Sequence, residues 1–152
     1  MTAAPALTDE HIVVVGLQAT TKDDAIRELA DTLQAAGRVS DLEVFLADVR
    51  AREAQMATGL HGGIGIPHAR SAGVVTPSVA VGTTQAGIDF GAPDGPAHLI
   101  FLIAAPDGAD DRHLTILAAL ARKLVHEDFR QSLRDATSGA EIAAIIQKEV
   151  QA

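Results

Sequence analysis

A chain of 152 residues and 15.7 kDa is long enough to bury a substantial core, and residues 1–152 read as a single domain. Its formal net charge of -8 speaks against nucleic acid, whose binding needs basic residues to neutralise phosphates, and the absence of cysteine excludes disulfides, thiolate metal sites and cysteine nucleophiles. The N-terminal MTAAPALTDEH lacks the basic start and apolar run of a signal peptide, and no apolar stretch reaches the roughly 18 residues of a membrane helix, so the expectation is a soluble, cytoplasmic protein.

Aromatic residues make up only 3% of the chain, which leaves the core to Ala, Val, Ile and Leu, a composition suited to helices packed on a sheet. In chain order, His11 to Leu17 (HIVVVGL) is β-branched and apolar and predicts a first, largely buried strand. From Thr21 the period changes: Ile26, Leu29, Ala30 and Leu33 recur at helical spacing, Asp23 and Asp24 occupy the first turn and Gly37 supplies a stop. Ser40 and Glu43 have the spacing of a capping box for a second helix, whose apolar face Leu42, Phe45, Leu46 and Val49 leads towards Arg50 and Arg52. The glycine-rich stretch from about Gln55 to Ala72 reads as a loop with a short strand at Ile64 to Ile66, which places His68 at or near a loop.

Two further strands are expected at Ser78 to Thr84 and His98 to Ala104, separated by the turn-rich GIDFGAPDGPA. Beyond Pro106 a helix carries Leu117, Leu120 and Leu124 on one stripe, a short helix follows near Phe129 and Leu133, and a last one begins at Ser138, with Glu141 completing a second capping box. Strands mixed with helices, without repeat or linker, predict an α/β (α+β) fold: a three-layer domain with a mixed β-sheet flanked by helices on both faces.

Charge is unevenly distributed. No Asp or Glu occurs between Glu53 and Asp89, where the chain average would place about four or five, while His61, His68 and Arg70 lie inside this window and Arg50 and Arg52 just before it. Glycines there, notably Gly62, Gly63 and Gly65, would let backbone N–H groups turn towards a ligand, and such groups near cations make an anion site for which phosphate is the natural occupant. A neutral imidazole is a nitrogen nucleophile, so His68 could itself accept a phosphoryl group, with Pro67 limiting how far the backbone before it wanders. The equal alternative is a glycine-rich turn bearing a solvated histidine.

His113 falls on the apolar stripe of its helix with Ile116, Leu117, Leu120 and Leu124; it reads either as a satisfied core histidine or as a group carried up to His68. Arg52 reads either as a bidentate fork for phosphate or as a helix-end arginine interacting with the dipole. Metal spacing is absent: His61 and His68 are seven apart, and there is no His-Glu-x-x-His or paired-cysteine motif. No P-loop or Gly-x-Gly-x-x-Gly pattern supports a nucleotide.

The segment REAQMATGLHGGIGIPHAR resembles the active-site segment of the enzyme IIA domains of the bacterial sugar phosphotransferase system, fructose/mannitol type, and DRHLTILAALARKL resembles that family's second-histidine helix; the order of elements agrees from about Leu7 to Gln147. The resemblance implies a phosphotransferase with a phosphohistidine intermediate. His68 would accept a phosphoryl group from the phosphocarrier protein HPr and pass it to a cysteine of an enzyme IIB domain, for onward transfer to sugar at the membrane IIC permease. It further implies that His113 and Arg52 orient and neutralise the phosphoryl group, with no metal, nucleotide or other cofactor. The form TGLxGGIxIPHxR looks most like the fructose branch, since Gly62 stands where mannitol-type relatives have glutamate and His61-Gly62-Gly63 where the nitrogen-regulatory branch has Gly-Asn-Gly. A regulatory protein of the nitrogen type is the alternative. Any carboxylate partner for His68 would come from outside the loop, with Asp110 and Asp111 as the candidates.

Overall fold

The computed structural model describes residues 7–108 and 112–149, and within these the side chains at 112–114, 116 and 117 are left undescribed. A short 3-10 turn, Glu10–Ile12, precedes β1 (Val13–Val15). The strand expected from His11 is therefore shorter: the Asp9 carboxylate accepts the His11 N–H at 2.8 Å and winds the chain at the front, and Gly16, at φ +84°, ends β1 behind. Helix α1 (Lys22–Ala35) starts on Thr21, whose hydroxyl accepts the Asp24 N–H. It stops at Gly37 (φ +76°), where Gly37 N–H reaches Gln34 O and Arg38 N–H reaches Leu33 O, a Schellman closure only a left-handed residue allows.

Helix α2 (Leu42–Gln55) is capped by Asp41, which accepts the Val44 N–H at 3.2 Å, and not by Ser40, whose hydroxyl donates to Gly73 O. The acid sits one residue nearer the first turn and also complements the helix dipole. The glycine-rich stretch holds three short strands, β2 (Gly59–Leu60), β3 (Ile64–Gly65) and β4 (His68–Ser71), followed by β5 (Ser78–Ile88) and β6 (Ala97–Pro106). β5 runs past its expected end at Thr84, with a register shift before Ile88 that accommodates Gly87 at φ +85°. Helices α3 (Arg112–Leu124), α4 (Glu127–Asp135) and α5 (Gly139–Glu149) complete the chain; Ser138 caps α5 by accepting the Glu141 N–H, while the Glu141 carboxylate turns to Thr137.

The sheet runs β1-β5-β6-β3-β2 with β4 also on β6, and it is mixed: β1 is parallel to β5, β5 antiparallel to β6, and both β3 and β4 parallel to β6. One face buries Ile26, Leu29 and Leu33 of α1 with Phe45, Leu46 and Val49 of α2. The other buries Leu120 and Leu124 of α3, Phe129 and Leu133 of α4, and Ile142 and Ile146 of α5 against Val79, Val81, Leu99, Phe101 and Ile103. This is the expected three-layer arrangement with helices on both faces. Arg38, 5% exposed, ties the N-terminal segment to the sheet by donating to Asp9 Oδ2 at 2.8 Å and Ser78 Oγ at 3.0 Å. Among the described residues no helix is long and apolar enough to cross a membrane.

Candidate active site

β3 and β4 lie end to end along the same side of β6 as one interrupted strand, flanked by β2 at its β3 end. Ile64 pairs with Leu99, Gly65 with Ile100, and after a two-residue break His68 pairs with Ile103 and Ser71 with Pro106, so the register along β6 never changes. The break falls at Ile66-Pro67, where proline has no N–H to give a ladder and its ring confines the preceding residue to extended conformations. His68 is thus the first residue of β4, directly after the unpaired Ile66-Pro67 break, in keeping with a position at or near a loop. Alternation sends Ile64, Ile66 and His68 to the face covered by α3, α4 and α5, and Gly65 and Ala69 to the face of α1 and α2.

The half-buried His68 ring turns its Nδ1 onto the Ile66 carbonyl at 2.9 Å. A carbonyl only accepts, so Nδ1 carries the proton and the lone pair of the neutral ring lies on Nε2. The nitrogen for which sequence reading sought a carboxylate is therefore held by backbone. Asp110 and Asp111 lie outside the described residues.

Arg52 lies in the last turn of α2 and donates to Met56 O at 3.2 Å. β2 lies antiparallel against β3, pairing Gly59 with Gly65, and Ile66 N–H donates to Thr58 O. His113 is the second residue of α3, on the helix layer that His68 faces; its side chain lies outside the described residues.

The glycines are placed differently from a phosphate cradle. Gly62 donates its N–H to Asp94 Oδ2 at 2.9 Å, and a Cβ on it would strike the Arg130 guanidinium at 2.8 Å. Gly63, at φ +77°, turns the chain and accepts from His98 and Leu99 N–H, five strand residues or about 16 Å from the level of His68. Gly65 is buried in the strand with the Phe90 ring against it. Glycine in these three places serves a turn and two close approaches, and none presents a free N–H to His68 that the structure shows.

The acid-free stretch is not acid-free in space. Asp94, from the β5–β6 connection, clasps Gly62 and stands 3.5 Å from His61 Nδ1; the Gly62 N–H above all, opposed by burial and aided by the nearby His61 and Arg130, holds its carboxyl below the usual range. Arg50 points elsewhere, to Asp23 on α1 at 2.7 Å. Sequence reading also missed Glu53, whose side chain is 6% exposed and binds Thr58 N–H at 2.8 Å, Thr58 Oγ at 2.6 Å and Lys22 Nζ at 3.3 Å. A signal was present: Glu53 continues the stripe Leu42, Phe45, Leu46, Val49 at helical spacing, a charged residue in a position that should be buried. Among the described residues no group of three or more His, Asp and Glu side chains is arranged to hold a metal ion.

The structure thus shows an imidazole held through Nδ1 at the start of β4, an arginine in the last turn of α2 and a histidine at the start of α3. Residues 6–149 match the family described as "Phosphoenolpyruvate-dependent sugar phosphotransferase system, EIIA 2", and the chain belongs to that family, whose members are phosphotransferases that relay phosphoryl groups through histidine. The chain is 38% identical over 152 residues to the "PTS system fructose-specific EIIA component" of Haloferax volcanii, covering 99% of each. It is 37% identical over 141 residues to the "PTS system fructose-specific EIIABC component" of Bacillus subtilis (strain 168), covering 92% of this chain and 22% of that protein. In fold it is similar to the nitrogen regulatory protein IIA-Ntr from Neisseria meningitidis, with a TM-score of 0.83, 31% identity, and coverage of 92% of this chain and 96% of the other.

Proposed function

We propose that this chain is a cytoplasmic IIA relay of a fructose phosphotransferase system, with His68 as its phosphoryl acceptor. The observation that carries the reading is the Nδ1–Ile66 O contact, which leaves the Nε2 lone pair of His68 at the start of β4. In the transfer, Nε2 attacks the phosphorus of phosphohistidine on HPr; the new N–P bond forms as the donor N–P bond breaks, and the bonding pair returns to the donor imidazole. Ile66 O stabilises the charge that develops on the His68 ring, and no proton has to move. Arg52 and His113 are the groups assigned to the phosphoryl oxygens. The second half passes the group to a cysteine of an enzyme IIB domain, working with a membrane IIC permease; this chain has no cysteine of its own. No metal, nucleotide or nucleic acid takes part.

Fructose is supported by the printed names of two relatives, one covered over its whole length and one combining EIIA with B and C parts. The acidic chain suits weak, salt-sensitive docking to basic faces of its partners. The likeness to a nitrogen regulatory protein favours a second reading, in which the phosphorylation state of His68 controls a partner. The test is intact-mass analysis after incubation with phosphoenolpyruvate, enzyme I and HPr. A single acid-labile adduct on wild type and none on His68→Ala is expected, and no adduct on either with active relay enzymes would overturn the proposal. Transfer onward to a fructose IIB cysteine separates the first reading from the second.

A further inference from the structure

Behind His68 lies a continuous chain of hydrogen bonds that begins at a buried carboxylate. Glu53 Oε2 accepts from Thr58 N–H at 2.8 Å and Glu53 Oε1 from Thr58 Oγ at 2.6 Å; Thr58 O accepts from Ile66 N–H at 3.2 Å; Ile66 O accepts from His68 Nδ1 at 2.9 Å. Lys22 Nζ meets the same oxygen, Oε2, at 3.3 Å. A carboxylate so thoroughly removed from water is retained only where its oxygens are matched, and here most of the matching is directed at one residue, Thr58. Thr58 is itself 5% exposed and follows directly on the irregular turn that ends α2, so nothing in a regular ladder fixes it before Gly59. Two anchors therefore hold Ile66: Thr58 on its N–H side and the pre-proline restriction on its carbonyl side.

We propose that Glu53 is a positioning residue for His68, holding Thr58 so that the Ile66 carbonyl keeps the imidazole proton on Nδ1 and leaves Nε2 free. The proposal rests on the reading of His68 as phosphoryl acceptor only for its consequence; the tautomer itself is a property of the resting protein. Without the carboxylate, Thr58 loses both of its side-chain and main-chain anchors, the Ile66 carbonyl is no longer fixed against the ring, and the proton redistributes between the two nitrogens. The fraction of His68 ready to attack falls, and with it the transfer rate, while docking of the phosphocarrier is untouched.

The experiment uses protein labelled with 15N-histidine and long-range 1H–15N correlation of His68, with no phosphoryl donor present. Wild type is expected to show Nδ1 protonated and Nε2 unprotonated. Glu53→Ala is expected to move both signals towards a mixed tautomer and to slow phosphoryl acceptance from phospho-HPr about 10- to 100-fold in kcat at little change in KM. Glu53→Gln keeps the shape but offers one acceptor oxygen where two are used, and is expected to fall between; it also serves if Glu53→Ala does not fold. Ser138→Ala, which removes the α5 cap and touches none of these bonds, is the control and is expected to leave the His68 signals in place. Folded Glu53 variants with the wild-type tautomer would overturn the proposal whatever their transfer rates. A tautomer that responds to Glu53 in a protein that accepts no phosphoryl group would leave the positioning intact and overturn the relay reading instead.

Discussion

Adding one methyl group at Gly65 separates a packing glycine from a phosphate-binding one. Its Cβ would lie 2.7 Å from Phe90 Cγ and 2.9 Å from Cδ1, where ordinary contact begins at 3.4 Å, so the ring must retreat by about 0.7 Å. Phe90 has no exposed surface, and the Gly65 backbone is pinned between Gly59 on one side and Ile100 on the other, so neither partner yields freely. Overpacking of this kind costs about 1–3 kcal/mol, and a domain of this size loses roughly 2–4 °C of melting temperature per kcal/mol. Gly65→Ala should therefore melt several degrees below wild type in a calorimetric scan. The clash names its partner, so Phe90→Leu in the same chain should recover part of the loss, with a coupling of about 1 kcal/mol in a double-mutant cycle. A variant that melts with wild type yet transfers phosphoryl groups poorly would refute this reasoning and return Gly65 to a phosphate cradle.

On the proposed role of Arg52 as a donor to the transferring group, Arg52→Ala should lower phosphoryl acceptance by roughly 100-fold with little change in melting temperature, since the structure gives its side chain the Met56 contact to lose; equal losses in rate and stability would make the residue structural. Asp41→Ala should destabilise by about 1 kcal/mol in urea titration, and Ser40→Ala by less, since Asp41 alone satisfies a first-turn N–H of α2. Asp9 gives a pH signature. Burial raises its carboxyl pKa, but the His11 N–H and the Arg38 guanidinium outweigh that and hold it below the ordinary 3.8. A depressed folded value means the unfolded chain binds the proton first, so this stabilisation is complete above about 3.8 and is lost as pH falls through the folded value. The gap in urea midpoint between wild type and Asp9→Asn should close on acidification; a gap that widens would contradict the pairing.

The elements legible in the sequence were those whose local signals agree. In α1, apolar spacing, first-turn acids, a threonine cap and a terminating glycine all point one way, and the helix lies within a residue of expectation. The short strands β2 and β4 were not legible, because two to four residues give no measurable period, and β4 is made by pairing with β6, 35 residues further along the chain. The β5 strand outran its expected end because a glycine that marks a turn in sequence marks an irregularity in a strand here. The missing acids illustrate the same limit: counting along the chain made residues 54–88 look basic, while folding brings Glu53 and Asp94 against Thr58 and Gly62.

What the sequence determined by itself is the layered class of the fold and the helix faces, and it nominated His68 as the candidate, since each depends on composition, period or a contiguous motif. Tertiary structure alone decided which ring nitrogen of His68 is free, which glycines turn the chain and which only admit a neighbour, and what Glu53 holds. Those are questions of distance and direction between groups separated in sequence. They have answers only once the interrupted strand is registered on β6, because that register sets where Ile66 points its carbonyl.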